Sequence, residues 1–173
     1  ARDPRAVSAS IAVAEASSYG TDHERTLRAS QHALQHARDV YGRGRPHARV
    51  LNARGVYARA LGNLGRYREA VDEAAQVVRE SEQLLGTDAA FIAFIAHDLA
   101  RFQIEIGDLR GSLASSERTM RYAAQLAQTD SFMVANAMDQ LGRAQLAARR
   151  AAPALATLRT ARDAMRPAPA SFD

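Results

Sequence analysis

The turn Leu64-Gly65-Arg66-Tyr67-Arg68-Glu69-Ala70 returns as Ile106-Gly107-Asp108-Leu109-Arg110-Gly111-Ser112, and more faintly, after the same step, from Ala148 to Ala154. A glycine turn that recurs at a fixed interval between helical patterns restricts the chain to stacked helical hairpins, each burying its apolar face against its neighbours. Small residues keep the same interval: Ala58, Ala100 and Gly142 in the first helix of each hairpin, and Ala70, Ser112 and Ala154 in the second. Both sets mark places where two helices approach closely. Tyr57, Leu99 and Leu141, and Leu64 with Ile106, recur beside them as core residues. The expected fold is therefore an all-α solenoid of antiparallel hairpins.

Local signals divide the chain. Asp3-Pro4 starts an Ala-rich helix running to about Ser18, with proline near the first helical position. The turn Tyr19-Gly20-Thr21-Asp22 leads into a helix from about Asp22 to Val40, which places Leu27, Leu34, Ala37 and Tyr41 at helical spacing. The loop Tyr41-Gly42-Arg43-Gly44-Arg45-Pro46 ends it, since two glycines and a proline stop a helix. Helix A of the next unit spans about 47 to 64, Gly65 closes it in a left-handed conformation, and helix B runs from about Arg68 to Leu85. Gly86-Thr87-Asp88 and Gln128-Thr129-Asp130 mark unit boundaries at the interval of the turns, with Thr and Asp as helix caps. Arg166-Pro167-Ala168-Pro169 stops the last helix, and the end frays. The expected organisation is one helical-repeat domain over 1–173: a divergent hairpin at 1–45, units at 46–86, 87–128 and 129–166, and a tail at 167–173.

Composition narrows the function. A chain of 173 residues fits one domain, and a domain of this size buries roughly 70% of the surface its unfolded chain exposes. The absence of Cys removes disulfides, thiolate zinc sites and a Cys nucleophile. No apolar run approaches the roughly 18 to 20 residues of a spanning helix, and the start lacks the order of a signal peptide, so a soluble, cytoplasmic chain with no membrane role is expected. A start at Ala1 rather than Met reads as a piece of something longer. The net charge is +4, and all 23 basic residues are Arg, which favours a GC-rich genome over a nucleic-acid function. A nucleic-acid face clusters basic residues among aromatics, whereas these are scattered among 19 acidic residues and are densest at Arg43-Gly44-Arg45. No nucleic-acid partner is expected.

Chemistry is equally thin. His32 and His36 stand one helical turn apart, a spacing that can hold a metal, with His23 as a third candidate, but Ala33 occupies the position where a metalloprotease needs Glu. The reading is surface histidines and no metal. Glu15 and Glu105 have no accompanying nucleophile, paired acid or phosphate loop, so no catalytic residue, enzyme activity or cofactor is expected.

The pairs Tyr57-Ala58, Leu99-Ala100 and Leu141-Gly142, with Gly65-x-Tyr67-x-x-Ala70 and Leu84-Leu85-Gly86, resemble the tetratricopeptide repeat (TPR) family in its longer, kinesin-light-chain-like form. The resemblance covers about residues 46 to 165. HEAT repeats have a similar period but do not account for Gly65-x-Tyr67-x-x-Ala70. Two departures stand in the third unit, where Arg149 replaces the turn glycine and Ala151 the aromatic, as in a degenerate end cap.

The resemblance implies a right-handed superhelix whose A helices line a concave, peptide-binding face. Its inward positions are Asn52, Gly55, Arg59, Gly62 and Asn63, then Phe94, His97, Arg101, Ile104 and Glu105, then Asn136, Asp139, Arg143 and Leu146. The peptide contacts expected among them are Asn52, Arg59, Asn63, Phe94, His97, Arg101, Asn136, Asp139 and Arg143. Phe91 and Phe102 are expected to pack instead. Arg59, Arg101 and Arg143 stand in register. Packed helices lie about 8 to 10 Å apart and an extended chain covers roughly 3.3 Å per residue, so adjacent arginines meet groups about three residues apart. An acidic or carboxylate-ended peptide fits that ladder. The order of Asp139 before Arg143 and of Arg101 before Glu105 also allows internal ion pairs. The resemblance further implies a protein or peptide partner and a role within a larger bacterial signalling or regulatory protein, such as a serine/threonine kinase or transcriptional regulator. The alternative is a scaffold that self-associates into a homo-oligomer through its terminal helices, using an apolar face with Ala151, Ala152, Leu155 and Leu158.

Overall fold

The computed structural model describes residues 3–42, 47–84, 89–126 and 131–164. Among these lie α1 (Pro4–Ser17), α2 (His23–Tyr41), α3 (Ala48–Asn63), α4 (Tyr67–Leu84), α5 (Ala89–Glu105), α6 (Leu109–Ala124), α7 (Ser131–Ala147) and α8 (Ala151–Ala164), with no strand. Three helix starts follow directly from their residues. Asp3, Asp22 and Asp108 each accept a hydrogen bond from a first-turn backbone N–H, those of Arg5, Arg25 and Gly111, at 2.8–2.9 Å, and Pro4 occupies the first turn of α1 where no N–H is needed. The boundary caps expected at Thr87-Asp88 and Thr129-Asp130, the loop 43–46 and the tail lie outside the described residues.

Each helix packs on the next in the chain, and the odd-numbered helices also touch one another in the sequence α1, α3, α5, α7. Among the described residues the even-numbered helices make no such backbone approach. They are bridged instead by long side chains: Tyr122 and Arg118 of α6 reach Glu82 of α4 at 3.1 and 3.2 Å. A solenoid whose A helices are close and whose B helices are splayed curves toward the A side, which makes the odd-numbered row the inner, concave layer.

The repeated turn is a repeated backbone device. Gly65 and Gly107 have φ of +78° and +80°, and Arg149 takes +58° at the same position of the third unit. In all three the N–H of the following residue bonds to the carbonyl five positions back: Arg66 to Leu61 at 3.0 Å, Asp108 to Gln103 at 2.8 Å and Arg150 to Gln145 at 2.8 Å. The left-handed residue itself bonds three back, to Gly62, Ile104 and Leu146. This pattern satisfies carbonyls that the helix end would leave orphaned. The third unit therefore departs from the others in residue type while its turn stays the same. The first hairpin is built differently: Ser18 closes α1 with φ −69°, and Thr26 Oγ1 donates to the Ser17 carbonyl at 2.8 Å.

The core is small-residue rich. Ala58, Ala70, Ala100, Ser112 and Ala154 are all buried, as is Gly142. A β-carbon on Gly142 would fall 2.5 Å from Leu158 Cγ. Leu158 is thus packed against α7, which removes it from the exposed face expected for α8; Leu155, Ala151 and Ala152 remain exposed. Gly55 and Gly62 are close-approach points as well. A β-carbon there would meet Ile95 Cδ1 at 2.5 Å and Phe102 Cε1 at 2.0 Å, so both glycines face α5 and not an open groove.

Left-handed backbone at a residue with a β-carbon costs roughly 1 kcal/mol. Arg149→Gly is therefore expected to stabilise the chain by about that amount, raising the melting temperature by about 2–4 °C, whereas Gly107→Val is expected to lower it by more. Thermal melts followed by circular dichroism check both, and a destabilised Arg149→Gly chain would contradict the turn assignment.

Candidate interaction groove

On the inner row, three positions per A helix recur on one face at i, i+4 and i+7: Gly55, Arg59 and Gly62 on α3, then His97, Arg101 and Ile104 on α5, then Asp139, Arg143 and Leu146 on α7. The α3–α5 and α5–α7 junctions differ in how this face is met. Between α3 and α5 the gaps at Gly55 and Gly62 are filled by Ile95 and the fully buried Phe102. Bulk then changes sides. The residues of α7 equivalent to Ile95 and Phe102 are Ala137 and Ala144, both fully buried, while α5 carries the larger His97 and Ile104. The result between α5 and α7 is a cleft of about 530 Å³, lined by His97, Arg101, Ile104 and Glu105 from α5 and by Asp139, Gln140, Arg143, Leu146 and Ala147 from α7.

A buried charge pair closes the α3–α5 junction. Arg59 Nε donates to Asp98 Oδ2 at 2.9 Å, with both side chains about nine-tenths buried, and the Arg59 guanidinium lies 3.7 Å above the Phe94 ring. Asp98 Oδ1 also accepts from Arg101 Nη2 at 3.4 Å, and the Arg101 guanidinium stacks 4.7 Å over Phe102. His97 Nδ1 lies 4.0 Å from the same oxygen. Burial pushes the His97 pKa below the ordinary imidazole value, an effect that nearby Asp98 opposes without reversing. A neutral imidazole therefore lines the cleft at pH 7.

No family model and no curated protein matches this sequence. Solved structures do match. A point variant of a candidate kinesin light chain from Podosopora anserina, described as having nearly identical TPR-like repeats, superposes with a TM-score of 0.73 at 20% identity, covering 95% of this chain and 76% of that one. The form without the substitution gives 0.71 at 19% identity, covering 95% and 77%. The fold is a TPR-like repeat solenoid. At this identity the likeness is one of architecture, and side-chain roles must come from this chain's own contacts.

Within that TPR-like frame, the cleft gathers His97, Arg101, Asp139 and Arg143 of the expected peptide contacts, together with the inward positions Ile104, Glu105 and Leu146. It does not include Asn52, Arg59, Asn63, Phe94 or Asn136. Asn63 Nδ2 donates to the Ser18 carbonyl at 3.3 Å and ties α3 to the first turn. Asn52 and Asn136 are half-buried on their helices, and Phe94 is covered by Arg59. The three arginines do not form a uniform ladder. Arg59 is consumed by Asp98, Arg143 pairs with Asp139 at 2.6 Å as its spacing allows, and Arg101 turns to Asp98.

Two residues outside the expected set carry much of the polar architecture. Asp98 is a lone acid in the apolar stretch from Ala89 to Ala100, and a buried carboxylate in such a helix requires a cation. That is the signal by which it could have been found. Arg54 is buried on α3 and bonds two acids of α4, Glu73 through Nε and Glu80 through Nη1, the latter at 2.9 Å. Burial opposes its charge, and the two carboxylates together outweigh that and raise its pKa. Elsewhere, the His32 and His36 rings lie 6.1 Å apart, with His36 Nδ1 3.5 Å from Ser10 Oγ. Among the described residues no helix is long and apolar enough to cross a membrane.

Removing one member of a buried pair strands the other's charge, at about 3 kcal/mol or more. Asp98→Ala is expected to lose that much in urea denaturation, and the double change Arg59→Met with Asp98→Leu to lose clearly less; equal losses would contradict the pairing. The depressed His97 pKa has its own signature. The unfolded chain, with an imidazole pKa of about 6.5, binds a proton more readily than the folded chain. The stability from neutral His97 is thus complete above about pH 6.5 and is lost as pH falls through the lower folded value. Melting temperature is expected to drop between about pH 7.5 and about pH 5, with a shallower drop in His97→Gln. An unchanged slope in that variant would contradict the burial.

Proposed function

We propose that this chain is a protein- or peptide-binding module that holds a segment of its partner in the concave cleft between α5 and α7, with no chemistry of its own. The observation that carries this is the contrast between adjacent junctions. The α3–α5 face is filled by Ile95 and Phe102, whereas the equivalent α5–α7 face leaves about 530 Å³ open. That space combines apolar surface from Ile104, the half-exposed Leu146 and Ala147 with polar groups from His97, Arg101 and Asp139. An apolar cleft with a few convergent polar groups is the usual form of a recognition site. The module belongs on this reading to a cytoplasmic bacterial signalling or regulatory protein, which rests on the family resemblance alone.

Selection of binders from a random-peptide library, followed by ¹⁵N–¹H NMR mapping, tests it. Bound peptides are expected to shift signals of His97, Ile104, Asp139 and Leu146. Leu146→Arg is expected to weaken them about tenfold, the equivalent of one buried apolar contact, without lowering the melting temperature. Peptides that map elsewhere, or no enrichment at all, would contradict the proposal.

A further inference from the structure

Each B helix also packs on the A helix that follows it, and two such junctions can be compared position by position. Where α4 meets α5, Val78 of α4 and Ile95, Ala96 and Leu99 of α5 are all buried in one apolar cluster, together with Ala74 and Val77. One repeat later the positions of those first four residues hold Met120 on α6 and Ala137, Met138 and Leu141 on α7. Of these only Ala137 is buried, and Met120, Met138 and Leu141 stay half-buried. The α6–α7 junction has apolar residues at the same places and does not close over them.

The inward row of α6 supplies the reason. It reads Ser112, Ser115, Ser116 and Thr119, all buried, where α4 has Ala70, Glu73, Ala74 and Val77. Ser115 donates to Gln103 Oε1 of α5 at 2.7 Å and Thr119 to the Ser115 carbonyl at 3.0 Å. The hydroxyls of Ser112 and Ser116 have no hydrogen-bond partner among the described residues, and neither has Nε2 of the buried Gln140 on α7. Polar atoms buried in that state carry a desolvation cost that is relieved when water reaches them. Among the described residues after Leu109, every buried apolar side chain is alanine: Ala123, Ala135, Ala137, Ala144, Ala154 and Ala161. Little apolar burial therefore offsets the cost.

The weakness has a definite boundary. Arg118 and Tyr122 anchor α6 to Glu82 of α4, and Ser115 ties it to α5. Beyond it, Arg143 pairs with Asp139 on its own helix, Thr157 of α8 bonds Gln145 of α7, and Leu158 fills the seat at Gly142, all inside one hairpin. The hairpin at the other end of the solenoid is sealed differently, by Val7 and Ile11 of α1 packed with Leu34 of α2 and with Val50 and Val56 of α3.

We infer that α7 and α8 form a detachable flap, which leaves the α5–α6 face as a unit while α1 to α6 stay folded, so that the cleft exists only while the flap is docked. Its docking rests on half-buried Leu141, Met138 and Met120 over a row of hydroxyls. Since α7 supplies one wall of the cleft, any occupant that bridges α5 and α7 favours the docked state, and its apparent affinity is reduced by the fraction of chains that are open. This coupling rests on the peptide-binding reading, whereas the opening itself does not.

Native-state hydrogen exchange in low urea, followed by NMR on the full chain, tests the flap. Amides of α7 and α8 are expected to open together about a hundredfold more often than those of α3 and α5, a difference equivalent to about three or four buried methylene groups. Fraying common to both solenoid ends would open α1 and α2 as readily; here they are expected to remain as protected as α3. Ser112→Ala with Ser116→Ala, which restores the residue types of α4, is expected to slow exchange in α7 and α8 about tenfold or more. Leu141→Asp places a charge in the docking seam. It is expected to move the signals of α7 and α8 to random-coil positions while those of α1 to α5 keep their shifts. Uniform exchange across all helices, equal opening at both ends, or loss of every helix together in Leu141→Asp overturns the inference. A library peptide mapped to the cleft is expected to slow exchange in α7 and α8, and one that binds there without doing so overturns the coupling. Peptides that map elsewhere contradict the peptide-binding reading, while the opening measured on the free chain stands apart from it.

Discussion

The contact between Arg59 and Asp98 is the one on which the inner layer depends. The two side chains come from successive repeats and are almost completely withdrawn from water, where neither charge is tolerable alone. Their pairing obliges α3 and α5 to sit at one distance and one register, and Gly55 and Gly62 make that distance possible by leaving room for Ile95 and Phe102. Related ties act at the other levels of the solenoid. Arg54 clamps α3 to α4 through Glu73 and Glu80, and Glu82 links α4 to α6 through Arg118 and Tyr122. In a core built largely of alanine, where each residue buries little apolar surface, such ties define geometry more than they add stability.

What could be read from the chain, and what could not, divides along the range of the interactions. The turns at Gly65, Gly107 and Arg149 depend on a few neighbouring residues, and their return at a fixed interval announced both the turn and the hairpins around it. Ala58, Ala70, Ala100 and Ala154 were legible as close-packing sites because small residues held the same interval. Arg149 was read as a degenerate turn from its side chain, yet the left-handed backbone survives there at a modest energetic cost. Counting along the A helices placed Gly55 and Gly62 inward, but counting does not reveal whether the next helix brings a large side chain to fill the space. Asp98 escaped for the same reason: its partner lies on the A helix of the preceding repeat, beyond any local periodicity. Leu158 looked like free surface until Gly142 opened a seat for it.

Repetition with local divergence explains how one face can be structural at one junction and receptive at the next. Position for position, α3 and α5 present the same arginine, but α5 surrounds it with His97 and Ile104 where α3 has glycines. The neighbour's reply also differs, with Asp98 and Phe102 from α5 against Gln140 and Ala144 from α7. Exchanging an acid for an amide and an aromatic for a methyl turns a closed contact into a cleft with unfilled donors. The neutral imidazole of His97 adds a polar wall without adding charge, because burial disfavours its protonation.

The difference between the two arginines is the centre of this account and can be measured directly. Hydrogen exchange at the arginine Nε–H groups, followed by ¹⁵N NMR on the unliganded chain, compares Arg59 and Arg101 in one experiment. A slowly exchanging Arg59 beside a rapidly exchanging Arg101 is the predicted result, since one is buried on Asp98 and the other faces an open cleft. Equal protection of the two would contradict it, because the α5–α7 junction would then be closed like its neighbour.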